Sequence, residues 1–489
     1  MPYDKDYIEL VDEGFSSERS SQDDELHDKE MNTEYKPRDS TSSESAVHLA
    51  LLDSSPHSKS HDDLGASDNS PKHLAWQALP SVLVSIAGLI AAGELLDIYL
   101  HWDVFIHIPE LFILVPVLLN LKGNLEMNLA ARLSTSANLG DLDNPASRRR
   151  LVIGNLALLQ VQSLIAGCIA GLFSFILGML IRPSNDASTY YESMLVISSS
   201  MLAASLSSLI LGIFMCFLII LSRRFNVDPD NIACPMASSL GDIVTLVILA
   251  TFARLLKDNM ESILSTVLVI VMVVLLPGAA ALVWTNRSVK QLLFTGWTPI
   301  MCAMVISRLV QHRFGKYVLW HYTKSRRCSL SGVVFENFVD SYKGLALLIP
   351  VLNGLTGNIG SIYASRISTA LHGNRQESYK KVEQTLLVMN IPVAIILIFV
   401  IWVFDLGEFP VNAWFLSAYF VVSMACAWLS LKLAKSMTLA SWKWGRDPDN
   451  TVLPFLTATI DVISTAMLVI TFVLFTMAGF EGYKTSTQS

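Results

Sequence analysis

The chain has 489 residues, of which 52% are hydrophobic and only 16% are charged, and its formal net charge is −7. A soluble globular protein of this length needs more charged residues to cover its surface, so a soluble fold is disfavoured. The sequence contains no basic stripe with interleaved aromatic residues, so nucleic-acid binding is disfavoured as well. The six cysteines form no CxxC pair and have no metal-ligand spacing, so they are expected to be small buried residues.

Residues 1–75 are polar, rich in Ser, Asp, Glu and Lys and poor in aromatic residues. Such a composition cannot bury enough apolar surface to offset the entropy of ordering the chain, so a disordered cytosolic tail is predicted. No short apolar core follows a basic start, so no cleavable signal peptide is expected. The first apolar segment would then act as its own insertion signal.

Eleven later segments are predicted to be membrane spans, because a helix needs ~20 mostly apolar residues to cross a bilayer. They lie near 79–98, 107–131, 151–181, 194–221, 232–256, 263–284, 296–312, 344–370, 384–404, 412–433 and 452–478. With the N-terminus in the cytosol, basic clusters such as Arg148–Arg150 and Lys380–Lys381 fall in cytosolic loops, in agreement with the positive-inside rule. The stretch 313–343 is an exception, since the same count places its basic residues outside.

Two sequence motifs occur twice, in the same order. Residues 116–135 read PVLLNLKGNLEMNLAARLST and residues 350–369 read PVLNGLTGNIGSIYASRIST; aligned without gaps, they share Pro-Val-Leu, Gly-Asn, Ala, Arg and Ser-Thr. Residues 228–242 and 447–461 share Asp-Pro-Asp-Asn, a later Pro and a terminal Asp. Two independent motifs that recur in register indicate a tandem duplication.

The duplication predicts an all-α multi-pass membrane protein with two copies of a five-span unit. Because five is odd, adjoining copies would face opposite ways, but the uncharged run Ile263–Trp284 adds a crossing and makes the copies parallel. Parallel copies related by an axis along the membrane normal enclose a central path. The predicted domains are the tail 1–75, a first repeat 76–260, a linking transmembrane helix 261–290, a second repeat 291–480 and a short tail 481–489.

Asp242 and Asp461 end the second motif of each copy. They lie about ten residues into their predicted helices, roughly 15 Å deep and near the bilayer midplane. An aspartate there costs about 3 kcal/mol on insertion scales and marks an ion path by default. The structural alternative is an Asp bonded to hydroxyls such as Ser239 or Thr459. Recurrence in both copies favours a pair of cation ligands, and Mg²⁺ suits such a pair because it takes one or two carboxylates and keeps most of its waters.

Gly123-Asn124 and Gly357-Asn358 stand inside the second predicted span of each copy. Gly exposes backbone carbonyls and Asn adds an amide oxygen, so both can line a cation path. We therefore expect the two asparagines to be metal ligands and the two glycines to supply pore-lining backbone. Close helix packing on Gly is the structural alternative.

The Asp-Pro-Asp-Asn segments precede the fifth predicted span at the cytosolic face. Asp or Asn caps a helix start and Pro fits its first turn, so capping is predicted. A cytosolic metal vestibule is the second interpretation, and its candidate residues are Asp228, Asp230, Asn231, Asp447, Asp449 and Asn450. Arg132 and Arg366 are predicted to be anchors that end their helices on the basic side.

At these motifs the chain resembles the MgtE-type magnesium transporters, and among them the fused two-copy solute carrier family 41 of animals. The likeness covers about residues 78–478 and is carried by both PVL…GN…R…ST stretches and both Asp-Pro-Asp-Asn segments. The resemblance implies that the second and fifth spans of each half line a Mg²⁺ pore, with Asp242 and Asp461 at the pore carboxylate. It also implies Mg²⁺ as the transported ion and Na⁺ as a coupling ion. Bacterial members of the family carry large cytosolic sensor domains. The predicted tail is too short to contain such domains, so the gating that they provide is not expected here.

The predicted function is Mg²⁺ transport, either as Na⁺-coupled exchange or efflux or as passive influx through a channel, and no enzymatic activity is expected. The expected partners are the lipid bilayer and divalent cations, and the plasma membrane is the expected location. One chain is expected to form the pore, because both carboxylates belong to one polypeptide. An intramembrane aspartyl protease also uses two membrane aspartates, but Ser239 replaces the first Gly of its Gly-x-Gly-Asp motif before Asp242.

Overall fold

The structure, a computed structural model, describes residues 71–479 except 182–189, 287–288, 298, 303–343, 376–377, 405 and 407–411. No strand occurs among the residues it describes. The predicted tails 1–75 and 481–489 lie outside the described residues, apart from 71–75. These five residues begin the first described helix, with a Pro in its first turn. Most of the predicted span near 296–312 and the basic stretch 313–343 lie outside them as well.

Twelve helices and one 3-10 turn make up the described part of the chain. The first copy contains α1 (Pro71–Leu100), α2 (Asp103–His107), α3 (Glu110–Asn138), α4 (Pro145–Ile181), α5 (Tyr190–Arg224), the turn Pro229–Asn231 and α6 (Ala233–Lys257). The linking segment contains α7 (Leu264–Thr285). The second copy contains α8 (Leu292–Thr295), α9 (Leu345–His372), α10 (Tyr379–Phe404), α11 (Ala413–Lys443) and α12 (Pro448–Met477).

Nine of the described helices are long and apolar enough to cross a membrane, namely α1, α4, α5, α6, α7, α9, α10, α11 and α12. Helix α3 has 29 residues but carries Lys122, Glu126 and Arg132 within its apolar sequence. At about 1.5 Å per residue it is also long enough to span the ~30 Å hydrocarbon core. Lys122 and Glu126 are buried against neighbouring helices. This architecture confirms the predicted all-α multi-pass membrane fold.

Helices α3 and α9, which carry the Gly-Asn pairs, lie between the two copies. Helix α3 packs against α6 of its own copy and against α12 of the other copy. Helix α9 packs against α12 and also against α6, and α3 and α9 contact each other. Each Gly-Asn helix therefore contacts both of the helices that carry Asp242 and Asp461.

Helix α7 lies at the periphery of the first copy. It packs against α4 and α5, and only its Ser265 and Val283 are buried. A helix that is apolar all round yet exposed suits contact with lipid. At its C-terminal end, Asn286 Nδ2 donates a hydrogen bond of 2.8 Å to the carbonyl of Arg150, so this end lies beside the basic cluster that the sequence places in the cytosol.

Candidate ion-conduction site

The two aspartates occupy helices that follow the same Asp-Pro-Asp-Asn motif but start at different residues of it. Asp242 is the tenth residue of α6, which starts after the 3-10 turn, whereas Asp461 is the fourteenth residue of α12, which starts directly at Pro448. Both side chains are half-buried, and Asp242 interacts electrostatically with Asp461. The sequence-predicted pair is thus brought within mutual electrostatic range.

Neither aspartate carboxylate accepts a hydrogen bond from the neighbouring hydroxyls that the structural alternative requires. Ser239 Oγ donates to the carbonyl of Pro235 at 3.1 Å, and Thr459 Oγ1 donates to the carbonyl of Phe455 at 2.7 Å. No side chain in the described ranges hydrogen-bonds or ion-pairs with either carboxylate. Both carboxylates are therefore available to a ligand.

The Gly-Asn pairs border open space beside α3 and α9. A Cβ added at Gly123 or at Gly357 would have no atom of another described helix within 4 Å. The alternative that these glycines serve close helix packing is therefore not supported by the structure.

The two asparagines are held differently. Asn124 Oδ1 accepts a hydrogen bond of 3.0 Å from Thr457, which stands one turn before Asp461 on α12. Asn358 Nδ2 instead donates to Ser85 of α1 at 2.7 Å, and its Oδ1 accepts no hydrogen bond from the described residues. Asn124 therefore ties α3 to the aspartate helix of the other copy, while the amide oxygen of Asn358 remains available as a ligand.

A buried ion pair that sequence reasoning missed adjoins the first aspartate. Lys122 Nζ pairs with Glu126 Oε1 one turn along α3, and both residues are 1% exposed. Both side chains interact electrostatically with Asp242, and a Cβ at Gly241 would collide with the Glu126 carboxylate. The opposite charges at i and i+4 within an apolar span are the sequence signal that marks such a pair.

The second copy has no charge at the equivalent positions. Thr356 and Gly360 align with Lys122 and Glu126 in the gapless repeat. The space that a side chain at Gly360 would fill is taken by Ser430 of α11, whose hydroxyl donates to the carbonyl of Thr356 at 2.8 Å. The two copies are therefore alike in their carboxylates and different in the charges beside them.

At the end of the bundle that the sequence places in the cytosol, the Asp-Pro-Asp-Asn segments form the predicted caps. The Asp228 carboxylate accepts a hydrogen bond from the backbone N–H of Asp230 at 3.1 Å, and Asp447 accepts one from Asp449 at 3.1 Å. Pro follows directly in each case, in the first turn of the 3-10 turn or of α12. Capping thus accounts for the first Asp of each segment.

The two arginines exchange partners between the copies. Arg132 of the first copy donates from Nη1 to Asn450 Oδ1 at 2.8 Å. Arg366 of the second copy donates from Nη1 to Asp228 Oδ2 at 2.9 Å and to Asn231 Oδ1 at 3.1 Å. The anchoring role predicted for the arginines is correct in kind. Their position is not, because each arginine lies six residues before its helix ends.

A contact between equivalent residues marks the pseudo-two-fold axis. Thr135 Oγ1 lies 3.2 Å from Thr369 Oγ1, and these residues align with each other in the repeat. A residue can contact its own counterpart only close to the axis that relates them. The axis therefore passes between the C-terminal turns of α3 and α9.

The second acid of the first segment, Asp230, is buried among donors. Ser134 and Ser365 donate to its Oδ1, and Asn138 Nδ2 donates to its Oδ2 at 2.8 Å. Burial, together with the neighbouring charge of Asp228, raises the pKa of Asp230 to about 7 despite these donors. The first-copy residues of the predicted vestibule are thus held by protein hydrogen bonds, so an open vestibule does not form from them.

Comparison with known proteins agrees with the repeat. A family model described as MgtE, divalent cation transporter, matches residues 115–252 and 349–471, one stretch in each copy. The chain is 35% identical to solute carrier family 41 member 2 of Gallus gallus over 424 residues, which cover 82% of this chain and 70% of that protein. It is 34% identical to member 2 of Homo sapiens, with shares of 82% and 70%, and 33% identical to member 3 of Rattus norvegicus, with shares of 81% and 86%.

Proposed function

Because this chain belongs to the MgtE family of divalent cation transporters, we propose that it transports Mg²⁺ across a membrane along a path between its two copies. Asp242 and Asp461 are the central ligands in this proposal. The observation that carries it is a pair of half-buried, unpartnered carboxylates, one from each copy, within mutual electrostatic range.

Two such carboxylates repel each other unless a cation lies between them. Mg²⁺ binds through one or two carboxylates and retains several waters, so it needs the space that Gly123 and Gly357 leave beside the helices. Asn124 and Asn358 supply amide oxygens near the same level.

We further propose that the transport is exchange with Na⁺ in the plasma membrane, with the N-terminus in the cytosol and a single chain forming the path. At 100 mV, negative inside, moving one charge outward costs about 2.3 kcal/mol, so exporting Mg²⁺ costs about twice that and requires coupling. Passive Mg²⁺ influx through a channel is the second candidate, and the open space beside both glycines is the observation in its favour. The family match favours transport over intramembrane proteolysis.

Mg²⁺ flux into proteoliposomes, measured with and without an opposing Na⁺ gradient, tests the proposal. D242N and D461N should each reduce Mg²⁺ flux by at least about tenfold, because losing one charged ligand weakens the pair (1.4 kcal/mol is a factor of ten). D258N is the matched control, since Asp258 follows α6 and is exposed. Wild-type flux in both D242N and D461N would contradict the site.

The same assay separates the two transport modes. Exchange predicts that an imposed Na⁺ gradient drives Mg²⁺ against its own gradient. Flux that depends only on the Mg²⁺ gradient and the membrane potential would assign the channel mode instead.

A further inference from the structure

Three ligand-type side chains meet at the cytosolic end of the second copy. His372 is the last residue of α9, Asp447 caps α12, and Asp449 stands in the first turn of α12. One ligand atom of each lies within 4.8 Å of the other two, and His372 Nε2 is 3.7 Å from Asp447 Oδ1. Ser368 and Thr135 interact with the Asp449 carboxylate, yet its Oδ1 has no hydrogen-bond partner among the described residues.

In the first copy, an amide side chain occupies the position that corresponds to the imidazole of this cluster. Asn138, the last residue of α3, aligns with His372 when the gapless repeat is continued by three residues. Asn138 Nδ2 donates to Asp228 Oδ1 at 2.9 Å and to Asp230 Oδ2 at 2.8 Å. An amide thus bridges the two carboxylates of the first copy, whereas an imidazole nitrogen faces them in the second.

A second difference leaves a buried oxygen unsatisfied. Asp230 Oδ1 receives hydrogen bonds from Ser134 and from Ser365 of the other copy. The residue that aligns with Ser365 is Ala131, which cannot donate, and Asp449 is only 4% exposed. Because an unpaired buried carboxylate oxygen is costly, an additional positive ligand is expected at Asp449 Oδ1.

The imidazole is held in the orientation of a metal ligand. His372 Nδ1 lies 2.9 Å from the carbonyl of Ser368, which can only accept a hydrogen bond, so Nδ1 is the donor and Nε2 is the ring nitrogen that faces Asp447. The ring also packs edge-on against Trp442, with centroids 5.0 Å apart. His372 and Asp447 are partly exposed, so an ion can reach the site from the aqueous side.

We propose that His372, Asp447 and Asp449 bind one divalent transition-metal cation of the Zn²⁺, Co²⁺ or Mn²⁺ class. One imidazole nitrogen and two carboxylates suit such ions, whereas Mg²⁺ prefers oxygen ligands alone. The site is separate from the transmembrane carboxylates. It joins the end of α9 to the start of α12, beside the point where Arg132 of the first copy binds Asn450. Its occupation therefore fixes the end of α9 to the start of α12 within the second copy.

Co²⁺ binding to the full-length chain in nanodiscs tests this site, followed by calorimetry and by visible absorption that reports nitrogen ligation. The proposal predicts one site that persists in the D242N/D461N double variant, so its outcome does not depend on the proposed transport path. H372N should weaken Co²⁺ binding by about 10-fold or more and remove the nitrogen-dependent absorption. H372N is expected to fold, because it installs the residue type that the first copy already uses at Asn138.

H107N is the matched control, since His107 also lies beside a carboxylate, Asp103, at 2.9 Å but is exposed. It should bind Co²⁺ as the wild type does. A131S is a second variant that leaves all three ligands in place and supplies the missing donor to Asp449, and it should weaken binding as well. Wild-type Co²⁺ affinity and absorption in folded H372N would overturn the proposal; if H372N does not fold, wild-type affinity in A131S would do so.

Discussion

Lys122 and Glu126 place a complete ion pair beside one aspartate of the path. Removing one partner of a buried pair leaves an uncompensated charge, whereas replacing both partners with neutral groups of similar shape is tolerated far better. Each residue is 1% exposed, so solvent cannot compensate for a lost partner. The pair therefore acts as a unit in the stability of the first copy.

We expect E126Q to lower the free energy of unfolding by about 3 kcal/mol, because Lys122 would remain charged and unpaired. The double variant K122M/E126Q should lose less than E126Q alone. Unfolding in mixed micelles with a denaturing detergent measures both. A double variant less stable than E126Q would show that the pair is not the stabilising unit.

Asp230 predicts a pH dependence that can be assigned to one group. Its pKa is raised from 3.8 to about 7 by burial and by Asp228, so the folded state holds a proton that the unfolded state has already lost. The stabilisation is complete below pH ~4 and is lost as the pH rises to about 7, above which both states are charged. The unfolding midpoint of D230N should change less between pH 5 and 7.5 than that of the wild type. An equal change in both proteins would remove Asp230 as the cause.

Among individual residues, the sequence marked those that recur in both copies and did not mark those that occur in one copy only. Asp242 and Asp461 were singled out because an acid recurs at matching sites in apolar helices, and their role as cation ligands stays a prediction. Lys122, Glu126 and His372 occur in one copy each, so the comparison between copies does not mark them. The partners of Arg132 and Arg366 were also beyond prediction, because cross-copy hydrogen bonds depend on how the helices pack.

The C-terminal ends of helices α3 and α9 are each held by hydrogen bonds to the other copy. Arg366 is 7% exposed and bonds both Asp228 and Asn231 across the junction. We expect R366A to lower the free energy of unfolding by about 2 kcal/mol, because it leaves buried acceptors without a donor. The same detergent unfolding assay measures the effect.

R223A is the control for this prediction. Arg223 pairs with Asp143 at 3.4 Å, but both side chains are substantially exposed. Such surface pairs contribute about 1 kcal/mol or less. If R223A proved as destabilising as R366A, the cross-copy bonds would have no special weight.

Hydropathy located the spans but not their ends. Helix α4 starts at Pro145 rather than near 151, and α9 runs to His372, beyond the predicted end near 370. The charged and polar turns at these ends remain helical after the apolar run has ended, because the backbone needs its hydrogen bonds whether lipid or water surrounds it. Hydropathy detects only the apolar portion of each helix.

The pseudo-two-fold arrangement of the whole chain can be tested at the Thr135–Thr369 contact. Their Oγ atoms are 3.2 Å apart, a separation compatible with the close Cβ approach that a disulfide requires. T135C/T369C should therefore cross-link within one chain under mild oxidation, and T135C alone should not. The products are separated by non-reducing electrophoresis of the protein purified as a monomer. Cross-links found only between chains would contradict a path formed by a single polypeptide.

The duplication and the parallel setting of the copies were predictable from two motifs and one extra hydrophobic run. The differences between the copies were not, because they arise where packing partners have diverged: Ser430 against Gly360, and Ala131 in the place of Ser365. Such differences change the side-chain groups available at one position, while the helices of the repeat are retained.

Fusion of the two copies also changes which substitutions the path can tolerate. In an assembly of identical subunits every substitution appears in each subunit, so a lysine at the position of Lys122 would be present twice. In the fused chain the aligned position of the second copy carries Thr356 instead. Joining the copies therefore allows a buried charge to be present in one copy alone. In a symmetric assembly the same charge would be present twice, at twice the electrostatic cost.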